Sequence, residues 1–402
     1  MSLSKSWGEI PPTAGLPVRL SDLLSHGSSD LATAAAGYLG VDRARVECSG
    51  TACLIVILAT LRRLSPRRRV IVPAYTCPLV ILAVVHVGLE PVLCDTAPND
   101  FGFALDALAM QCGSDTLAVI PAHLAGRVAD VEPVVRIAHA HGAFVVEDGA
   151  QAFGARWRHE TVGLLGDAGF FSFAVGKGIT LYEGGLWITR RAELFQEIER
   201  TGRELIRSNA LLELLRAVQL AAYALLYRPS TLRWVYGMPL RRALRVNDFA
   251  RAAGDRYRTP IPLHAVGPWR QRVGVAALRR LAAFHEATRQ QADARIGRLG
   301  ALPGLRVFVD RAHARGVWPC LLVKFDSALA CDRVLLALWG ARVGVSRMFA
   351  HALPDYDYLK FSANASGCPN AVNFAASTLT ISNSPWLDAE RFEVILRGLE
   401  QA

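Results

Sequence analysis

Short apolar runs alternate with segments of helical periodicity between Val70 and Glu147. The apolar runs predict strands at Val70–Pro73, Pro91–Cys94, Leu117–Pro121 and Ala143–Glu147, and the periodic segments predict helices at Leu79–Val87 and Val131–His141. Strands with nearly continuous apolar content are buried on both faces, as in a parallel sheet that helices cover on each side. The pattern therefore predicts an α/β fold with a mostly parallel sheet.

The pattern changes after one further strand, Leu186–Thr189. An Arg- and Leu-rich helical region is expected from Glu193 to about Leu244, and a second one from Val275 to about Leu299. Two strand-like runs and a closing helix then predict a smaller α/β domain: Leu305–Val309, Cys320–Phe325 and Phe392–Leu399. We expect a large domain over residues 1–265, with an apolar helical insert at about 205–245, and a small domain over residues 266–402.

Composition agrees with a globular chain that has a large core. The chain has 402 residues, of which 52% are hydrophobic and 20% are charged. That length leaves room for two domains. The net charge of +10 could suit anionic partners, but no basic stripe with interleaved aromatic residues is present, so nucleic acid is not expected as a partner.

The eight cysteines do not form a metal-binding pattern. They lack C-x-x-C spacing, which argues against a zinc site, and we expect no metal. Several lie in apolar segments, as reduced core thiols do. Residues Met1–Leu20 contain no long apolar run, so no signal peptide is expected and the sequence points to the reducing cytoplasm.

One apolar stretch, Asn209–Tyr227, leaves two interpretations open. Glu213 and Arg216 interrupt it, which makes it a poor membrane span. A buried amphipathic helix is the interpretation we favour. The alternative is a helix at a membrane surface, because arginines lie beside aromatic residues directly after it, at Arg228, Arg233, Arg241 and Arg242.

Candidate chemistry lies at the ends of two strands. Asp148 closes the apolar run Phe144–Asp148, and Lys177 follows the run Phe170–Ser172. Ligands of parallel sheets bind beyond the carboxyl ends of the strands. A lysine amine can form a Schiff base with an aldehyde, and a carboxylate can keep a pyridine nitrogen protonated, which are the two groups that pyridoxal 5'-phosphate (PLP) requires. A solvated lysine and a helix-capping aspartate are the structural alternatives.

The order and wording of these segments resemble the DegT/StrS-type sugar aminotransferases, a family of fold-type I PLP enzymes. The resemblance is densest between Val46 and Thr189. It implies a seven-stranded-type sheet between helices, a smaller C-terminal α/β domain, and a homodimer with shared active sites. It also implies amino transfer from an amino acid, such as glutamate, to a keto sugar that is nucleotide-linked. A histidine in place of Lys177 would instead indicate a dehydratase-like branch.

The resemblance assigns roles to three residues of the central segment. Lys177 would be the Schiff-base lysine and would carry the proton between substrate and cofactor. Asp148 would hold the pyridine nitrogen, and Gln151, in the pattern E-D-x-A-Q, would approach the 3-hydroxyl of the cofactor. Since the neutral amine is the reactive form, we expect the site to lower the pKa of Lys177.

A phosphate group would bind where a helix begins, because the first backbone N–H groups of a helix are free there. Ser49-Gly50-Thr51-Ala52 opens a helical stretch and resembles the S-G-T-x-A phosphate loop of the family. Gly50 would allow close approach, while Thr51 and Ala52 would donate. Ser172 resembles a further phosphate ligand of the family.

Other positions depart from the family pattern. Cys77 stands where an aromatic residue usually stacks on the pyridine ring, so either its thiol or Tyr75 would have to fill that place. His123 is either a neighbour of the cofactor or a structural histidine. Arg256 replaces the asparagine that reaches the phosphate in the partner subunit, within the segment 254–258, and arginine can also bind phosphate.

Two alternatives to the sugar aminotransferase follow from these departures. The first is a PLP enzyme of the same family with a non-sugar acceptor or a different chemistry, which Cys77 and Arg256 suggest. The second is a catalytically silent subunit at a membrane surface, which the apolar stretch suggests. Peripheral membrane contact is therefore kept as a secondary hypothesis, while small molecules are the expected partners.

Overall fold

A seven-stranded sheet forms the centre of the large domain. This computed structural model describes residues 8–257, 259–359 and 367–401. Its strands in chain order are β1 Arg45–Glu47, β2 Arg69–Pro73, β3 Glu90–Cys94, β4 Thr116–Val119, β5 Phe144–Asp148, β6 Arg156–Trp157, β7 Glu160–Thr161, β8 Ala168–Ser172, β9 Gly185–Ile188, β10 Leu305–Val307, β11 Ala314–Arg315, β12 Cys320–Phe325, β13 Val345–Ser346 and β14 Thr378–Ser382.

The order of strands in the large sheet is β1-β9-β8-β5-β4-β2-β3. Pairing is parallel from β8 to β3, and β9 pairs antiparallel with both of its neighbours. The parallel register places Asp148, at the end of β5, opposite Phe170 of β8. The expected mostly parallel sheet is thus confirmed, and its carboxyl edge carries both candidate strand ends.

Helices cover both faces of this sheet and one side of the small sheet. In chain order they are α1 Leu20–Leu23, α2 Leu31–Leu39, α3 Gly50–Leu64, α4 Pro78–His86, α5 Leu105–Gln111, α6 Val131–Ala140, α7 Ala192–Leu205, α8 Ala210–Leu226, α9 Pro229–Leu232, α10 Met238–Arg245, α11 Phe249–Ala253, α12 Pro268–Leu278, α13 Leu281–Gly300, α14 Ala328–Leu338, α15 Pro369–Ser377 and α16 Ala389–Glu400. A π-helical turn, Arg233–Gly237, joins α9 to α10.

Smaller sheets complete the fold. The small domain has an antiparallel four-stranded sheet in the order β10-β12-β14-β13. A three-stranded sheet, β11-β6-β7, pairs Ala314 of the C-terminal part with Trp157 of the large domain. Backbone hydrogen bonds therefore tie the two domains together beside the candidate site.

The cores of the two domains do not divide at residue 265. Val275 and Leu281, beyond that boundary, pack into a large-domain cluster with Phe171. Leu240 and Ala243, before it, pack against the small sheet. The chain crosses between the cores more than once, so a single boundary does not describe the packing.

The predicted elements largely match the structure, with differences in the helical regions. The strand runs agree to within a few residues at each end. The helical region expected from Val275 to about Leu299 consists of two helices, α12 and α13, which are separated at Arg279–Arg280. The long region after Glu193 is divided into several helices. Among them are the short helix α9 and the π-helical turn that follows it.

The apolar insert is not the buried helix that we favoured. Leu220 and Tyr223 of α8 are buried, but Leu211 is 76% exposed and Leu214 is 62% exposed. In the described ranges, no single helix has both the length and the apolar composition of a membrane span. The helices Ala210–Leu226 and Pro229–Arg245 meet those criteria only as a pair, which is bent by 111°.

Glu47 is a buried carboxyl at the edge of the large sheet. It is 5% exposed, and its Oε1 accepts a hydrogen bond of 3.3 Å from Nε1 of Trp187. Burial raises the pKa of Glu47 from 4.5 to about 7. Because the folded-state pKa lies above the unfolded one, the stabilising effect is complete below about pH 4.5 and is lost as the pH rises through about 7.

The Glu47→Gln variant should therefore be more stable than the native chain at about pH 8.5, by at most about 3 kcal/mol. Glutamine keeps the acceptor for Trp187 without a buried charge. Thermal unfolding at about pH 8.5 and about pH 4.5 measures the difference, which should vanish at the lower pH. Glu160→Gln is the control, at a partly exposed glutamate that pairs with Arg190, and an equal gain in that variant would contradict this explanation.

Candidate active site

A cavity of about 370 Å³ opens at the carboxyl edge of the large sheet. Its lining includes Thr51, Cys77, Asp148, Gln151, Ser172 and Lys177. The cavity also takes side chains from the small domain, among them Trp318 and Met348. Its volume lies in the range of small-molecule sites. Residues that are far apart in the sequence thus converge on one partly enclosed space.

Asp148 is fixed at the end of β5 by its backbone and by one carboxylate oxygen. The backbone carbonyl accepts a hydrogen bond from His123 N–H at 2.9 Å. Oδ1 accepts one from Ala150 N–H at 2.9 Å, whereas Oδ2 has no hydrogen-bond partner among the residues that the structure describes. Burial raises the pKa of Asp148, against the effects of Ala150 N–H and Lys177. A cationic donor in the cavity would find this oxygen free to accept.

Lys177 lies on a tight turn that follows β8. Its N–H donates to Ala174 O at 3.2 Å, and Leu16 N–H donates to Gly178 O at 2.9 Å. Gly176 has a φ of +79°, and a Cβ there would lie 2.4 Å from Oγ1 of Thr13. Glycine meets both requirements. The N-terminal segment at Thr13–Leu16 therefore closes over the turn and fixes the place of the lysine.

The surroundings of the Lys177 amine favour its neutral form. Burial lowers its pKa below 10.5, and the nearby Cys77, Asp148 and Asp255 oppose that effect. The expected direction of the pKa shift is therefore what the structure gives. A neutral amine is the nucleophilic form of lysine.

The first turn of α3 faces the same cavity. A Cβ on Gly50 would meet Cβ of Ser172 at 3.1 Å and the carbonyl oxygen of Phe171 at 3.2 Å. Only glycine leaves this close approach open. Gly50, Thr51 and Ser172 line the cavity. The Ala52 N–H, however, donates to Oγ of Ser49 at 3.0 Å, so within this structure it is used as a helix cap.

Gln151 and His123 lie next to each other beneath the cavity. The Gln151 side chain accepts a hydrogen bond of 2.7 Å from Ala125 N–H, and its Nε2 lies 3.2 Å from Sδ of Met348. His123 is 1% exposed. Its Nδ1 accepts from Ala129 N–H at 3.1 Å, so the hydrogen on Nε2 donates to Glu147 Oε2 at 3.0 Å. Both ring nitrogens are used, and His123 is a structural histidine whose ring borders the cavity.

The side chains of Cys77 and Tyr75, at the end of β2, point in different directions. Cys77 lines the cavity, and its thiol donates to the Tyr257 hydroxyl at 3.6 Å. Burial raises the pKa of Cys77 to about 11. Tyr75 packs instead between Phe349 and Phe374, at ring distances of 5.4 and 5.1 Å. Tyr75 is therefore not a stacking residue, because it fills the core behind the cavity.

The segment that we expected to supply Arg256 turns other side chains inward. Arg256 is exposed and pairs with Asp248 at 3.3 Å. Asp255 and Tyr257 line the cavity, as alternation along an extended segment requires. Within this protomer Arg256 is therefore not part of the cavity. Arg258, the last residue of the segment, lies outside the described residues.

Asp255 is the cavity residue that the sequence analysis missed. Its Oδ2 accepts from Ala350 N–H and the Tyr356 hydroxyl, each at 2.7 Å. Oδ1 has no hydrogen-bond partner among the described residues. Burial raises the pKa of Asp255 to about 6. Its acidic side chain, between Gly254 and Arg256, was visible in the sequence, but the direction of that side chain was not.

Within the residues that the structure describes, no three His, Cys, Asp or Glu side chains are grouped so that they could hold a metal ion. The chemistry of the cavity therefore rests on an amine, two carboxylates, a helix N-terminus and hydroxyl groups.

A family model matches residues 21–209, the segment that supplies α3, Asp148 and Lys177. The model describes the DegT/DnrJ/EryC1/StrS aminotransferase family, so these residues are similar to that family. The resemblance drawn from the motifs is thus confirmed for the N-terminal half. The match stops just before α8.

Relatives in sequence match about the same segment. GDP-perosamine synthase of Caulobacter vibrioides is 36% identical over 159 residues, which are 40% of this chain and 43% of that protein. L-glutamine:2-deoxy-scyllo-inosose aminotransferase of Streptomyces fradiae is 33% identical over 211 residues, 49% of this chain and 50% of that protein. The chain thus matches half or less of each relative's length.

Solved structures share the fold over nearly the whole chain. A putative sugar aminotransferase from Streptococcus pneumoniae, in its PMP form, has a TM-score of 0.76 at 18% identity and covers 98% of each chain. 3-Amino-5-hydroxybenzoic acid synthase has a TM-score of 0.70 at 21% identity, with 92% of this chain and 89% of that one covered. The fold-type I architecture is therefore established for this chain.

The lowered pKa of Lys177 can be tested by measuring how the rate of lysine acetylation depends on pH. The chain has only four lysines to distinguish, Lys5, Lys177, Lys324 and Lys360. Acetylation of Lys177 should reach half its maximal rate below pH 10.5. The Asp255→Asn variant should move that midpoint further down, since it removes a negative charge that favours the ammonium form. Mass spectrometry of the labelled peptides measures each lysine separately.

The control is Asp115→Asn, which removes an equal charge at an exposed residue that pairs with Arg69. It should leave the Lys177 midpoint unchanged. A midpoint that rises in Asp255→Asn would show that the carboxyl does not act on the amine.

Proposed function

We propose that this protein is a PLP-dependent aminotransferase that moves an amino group from an amino acid, with glutamate as the donor, to a keto sugar. The observation that carries the proposal is the meeting of Lys177 and Asp148 in one cavity, with the lysine amine held towards its neutral form. The family match over residues 21–209 and relatives named as sugar aminotransferases support it.

The residues of the cavity fit PLP in three places. Asp148 has one carboxylate oxygen without a protein partner, as a pyridine nitrogen requires. Gly50 leaves open a cradle against Ser172 that a Cβ would fill, at the start of a helix where a phosphate binds well. Lys177 offers a neutral amine for the aldehyde.

When bound, PLP supplies an aldehyde that condenses with amines and a ring that takes up the electron pair released at the substrate's alpha carbon. The Lys177 amine would take the proton from that carbon and deliver it to the aldehyde carbon of the cofactor, which its lowered pKa allows. Asp148 would hold the proton of the ring nitrogen. The Thr51 N–H group and the Ser172 hydroxyl would bind the phosphate, whose close approach Gly50 would allow, and Ala52 is a further candidate donor. Gln151 would approach the 3-hydroxyl of the cofactor.

The identity of the amino acceptor is the more specific part of the proposal. We infer a nucleotide-linked keto sugar, in the formation of amino sugars for polysaccharides or glycoconjugates, because relatives include GDP-perosamine synthase and a UDP-N-acetyl-3-dehydro-alpha-D-glucosamine 3-aminotransferase. The free Oδ1 of Asp255 is placed to accept a hydrogen bond from a sugar hydroxyl. We also propose a homodimer, in which the exposed Arg256 of one protomer would reach the phosphate in the active site of its partner.

A cytoplasmic location is proposed with it. The eight cysteines are free thiols, which suits a reducing compartment.

Cys77 would contact the pyridine ring of the cofactor with its thiol, at the position where the family usually has an aromatic ring.

A non-sugar acceptor is the second candidate. 3-Amino-5-hydroxybenzoic acid synthase shares the fold, and Cys77 with Tyr257 makes this wall of the cavity differ from the family pattern. The two candidates share the lysine chemistry and differ in the acceptor alone.

Reductive labelling tests the proposal directly. Incubation with PLP and then borohydride should fix the cofactor on the peptide that contains Lys177, and on no other of the four lysine peptides. Glutamate added before borohydride should abolish the label, because the amino group moves to the cofactor. The enzyme whose cofactor carries the amino group should then transfer that group to one of a panel of UDP-, GDP- and TDP-linked keto sugars.

The matched control is Lys324→Arg, which should be labelled at Lys177 like the native chain, whereas Lys177→Arg should not be labelled. Label on Lys177 that glutamate cannot remove would keep the cofactor but exclude this donor. Amino transfer to an aromatic ketone but to no sugar would favour the second candidate. Absence of label after addition of PLP would overturn the proposal.

The phosphate cradle yields a separate prediction. The Gly50→Ala variant should bind PLP roughly tenfold more weakly or worse, because the added methyl meets Ser172 and Phe171 in the place reserved for the phosphate. Affinity for pyridoxal, which lacks the phosphate, should change much less. Fluorescence titration of the cofactor-free protein with both ligands measures the two constants.

Gly297→Ala is the control, since a Cβ at that helical position meets nothing within 4 Å. It should leave both affinities unchanged. Equal losses for PLP and pyridoxal in Gly50→Ala would locate the effect in the fold and not in phosphate binding.

A further inference from the structure

The insert helix α8 carries its apolar side chains outward. Leu211, Leu214 and Val218 are 76%, 62% and 58% exposed. With Leu215 and Leu225, which are also exposed, they recur at the spacing of one helix face. A helix of a globular protein normally turns that face to the core. This apolar face of α8 therefore lacks a partner within the protomer.

The charged residues of α8 point the other way. Arg270, which is fully buried, donates through Nε to Oε1 of Glu213 at 2.9 Å. Arg216 pairs with Glu183 at 2.5 Å. Leu220 and Tyr223 pack on the same inner side. These bonds hold α8 to the body of the protein in one orientation, so the outward apolar face does not result from a loose helix.

Cations border this face with almost no acidic residues. Residues 205–247 contain seven arginines and one acidic residue, Glu213. Two of the arginines are paired, Arg216 with Glu183 and Arg241 with Glu9 at 2.9 Å. Five are exposed and have no ion pair within the described ranges: Arg207, Arg228, Arg233, Arg242 and Arg245. The chain segment that contains this face, residues 205–247, therefore carries a strong positive charge.

An exposed aromatic residue lies at the bend that follows α8. Trp234 is 57% exposed, and the guanidinium of Arg233 lies 4.3 Å from its ring centroid. Val235 beside it is also exposed. An indole with a neighbouring cation combines an apolar body with a charged edge, which suits the boundary between lipid tails and head groups.

A second copy of this chain fits the surface poorly. A two-fold interface places the same patch against itself, so it would bring the positive charge of one copy close to that of the other. Like charges placed opposite each other oppose association. An anionic bilayer offers an apolar interior and negative head groups in one partner, and so complements both parts of the surface.

We propose that the apolar face of α8, with Trp234 and the bordering arginines, docks the protein on the surface of an anionic phospholipid membrane. The contact is one-sided, because the inner face of α8 is bonded to the protein. It would hold the active-site domain at the bilayer without depending on the reaction that the cavity performs.

Vesicle co-sedimentation of the purified PLP-loaded protein tests this. It should pellet with vesicles of phosphatidylcholine that contain about 30% phosphatidylserine, and far less with phosphatidylcholine alone. The Leu214→Gln, Val218→Gln double variant should lower the partition coefficient roughly tenfold or more. The Arg233→Gln, Arg242→Gln double variant should bind more weakly and lose part of its salt sensitivity, because three of the five unpaired arginines remain.

Two matched controls separate the surface from general effects. Leu64→Gln with Met110→Gln replaces side chains that are 50% and 88% exposed elsewhere, and should bind like the native chain. Arg136→Gln with Arg333→Gln removes the same charge at exposed positions of α6 and α14. Amino-transfer activity and thermal unfolding should be unchanged in the α8 variant.

A native protein that stays in the supernatant with the anionic vesicles at low salt would overturn the proposal. So would equal binding of the Leu214→Gln, Val218→Gln variant. If that variant instead lowers the oligomeric state seen by light scattering, a second copy covers the face. These outcomes do not depend on the proposed function, which reductive labelling tests separately.

Discussion

Parallel pairing between β5 and β8 is the constraint on which the candidate site depends. It sets Asp148 level with Phe170, so that the chain leaving β8 must turn within a few residues and return Lys177 towards the carboxylate. The turn requires Gly176 at positive φ beneath Thr13. Burial then acts on both groups in opposite directions, since it lowers the pKa of the amine and raises that of the acid. Neither effect would arise at an exposed strand end.

The small domain completes this environment. Met348, Trp318 and Phe349 close the cavity from the side opposite the large sheet. Ala14 N–H donates to Pro319 O at 2.7 Å, so that the N-terminal segment links the lysine turn to the small domain. Arg127 lies over the Trp318 ring and pairs with Asp310. The two domains together therefore desolvate the Lys177 amine. This shared role explains why the two cores share chain segments.

The sequence was sufficient for the parts of the fold and site that local pattern determines. Continuous apolar runs located β2, β3, β4 and β5, because strands buried on both faces have no other composition. The placing of Lys177 and Asp148 followed from the rule on strand ends. Side-chain direction outside regular strands was not predictable. Tyr75 lies two residues before Cys77, yet it packs against Phe349 and Phe374, which come from the distant small domain.

The insert shows the same limit in a helix. From sequence, Glu213 and Arg216 read as interruptions of an apolar helix, and the leucines as its buried side. The structure reverses this because the charges find partners, Arg270 and Glu183, that lie 57 and 33 residues away. A buried arginine needs a carboxylate beside it, and satisfying Arg270 turns the leucines outward. Long-range charge pairing thus decides which face of α8 the protein offers to its surroundings.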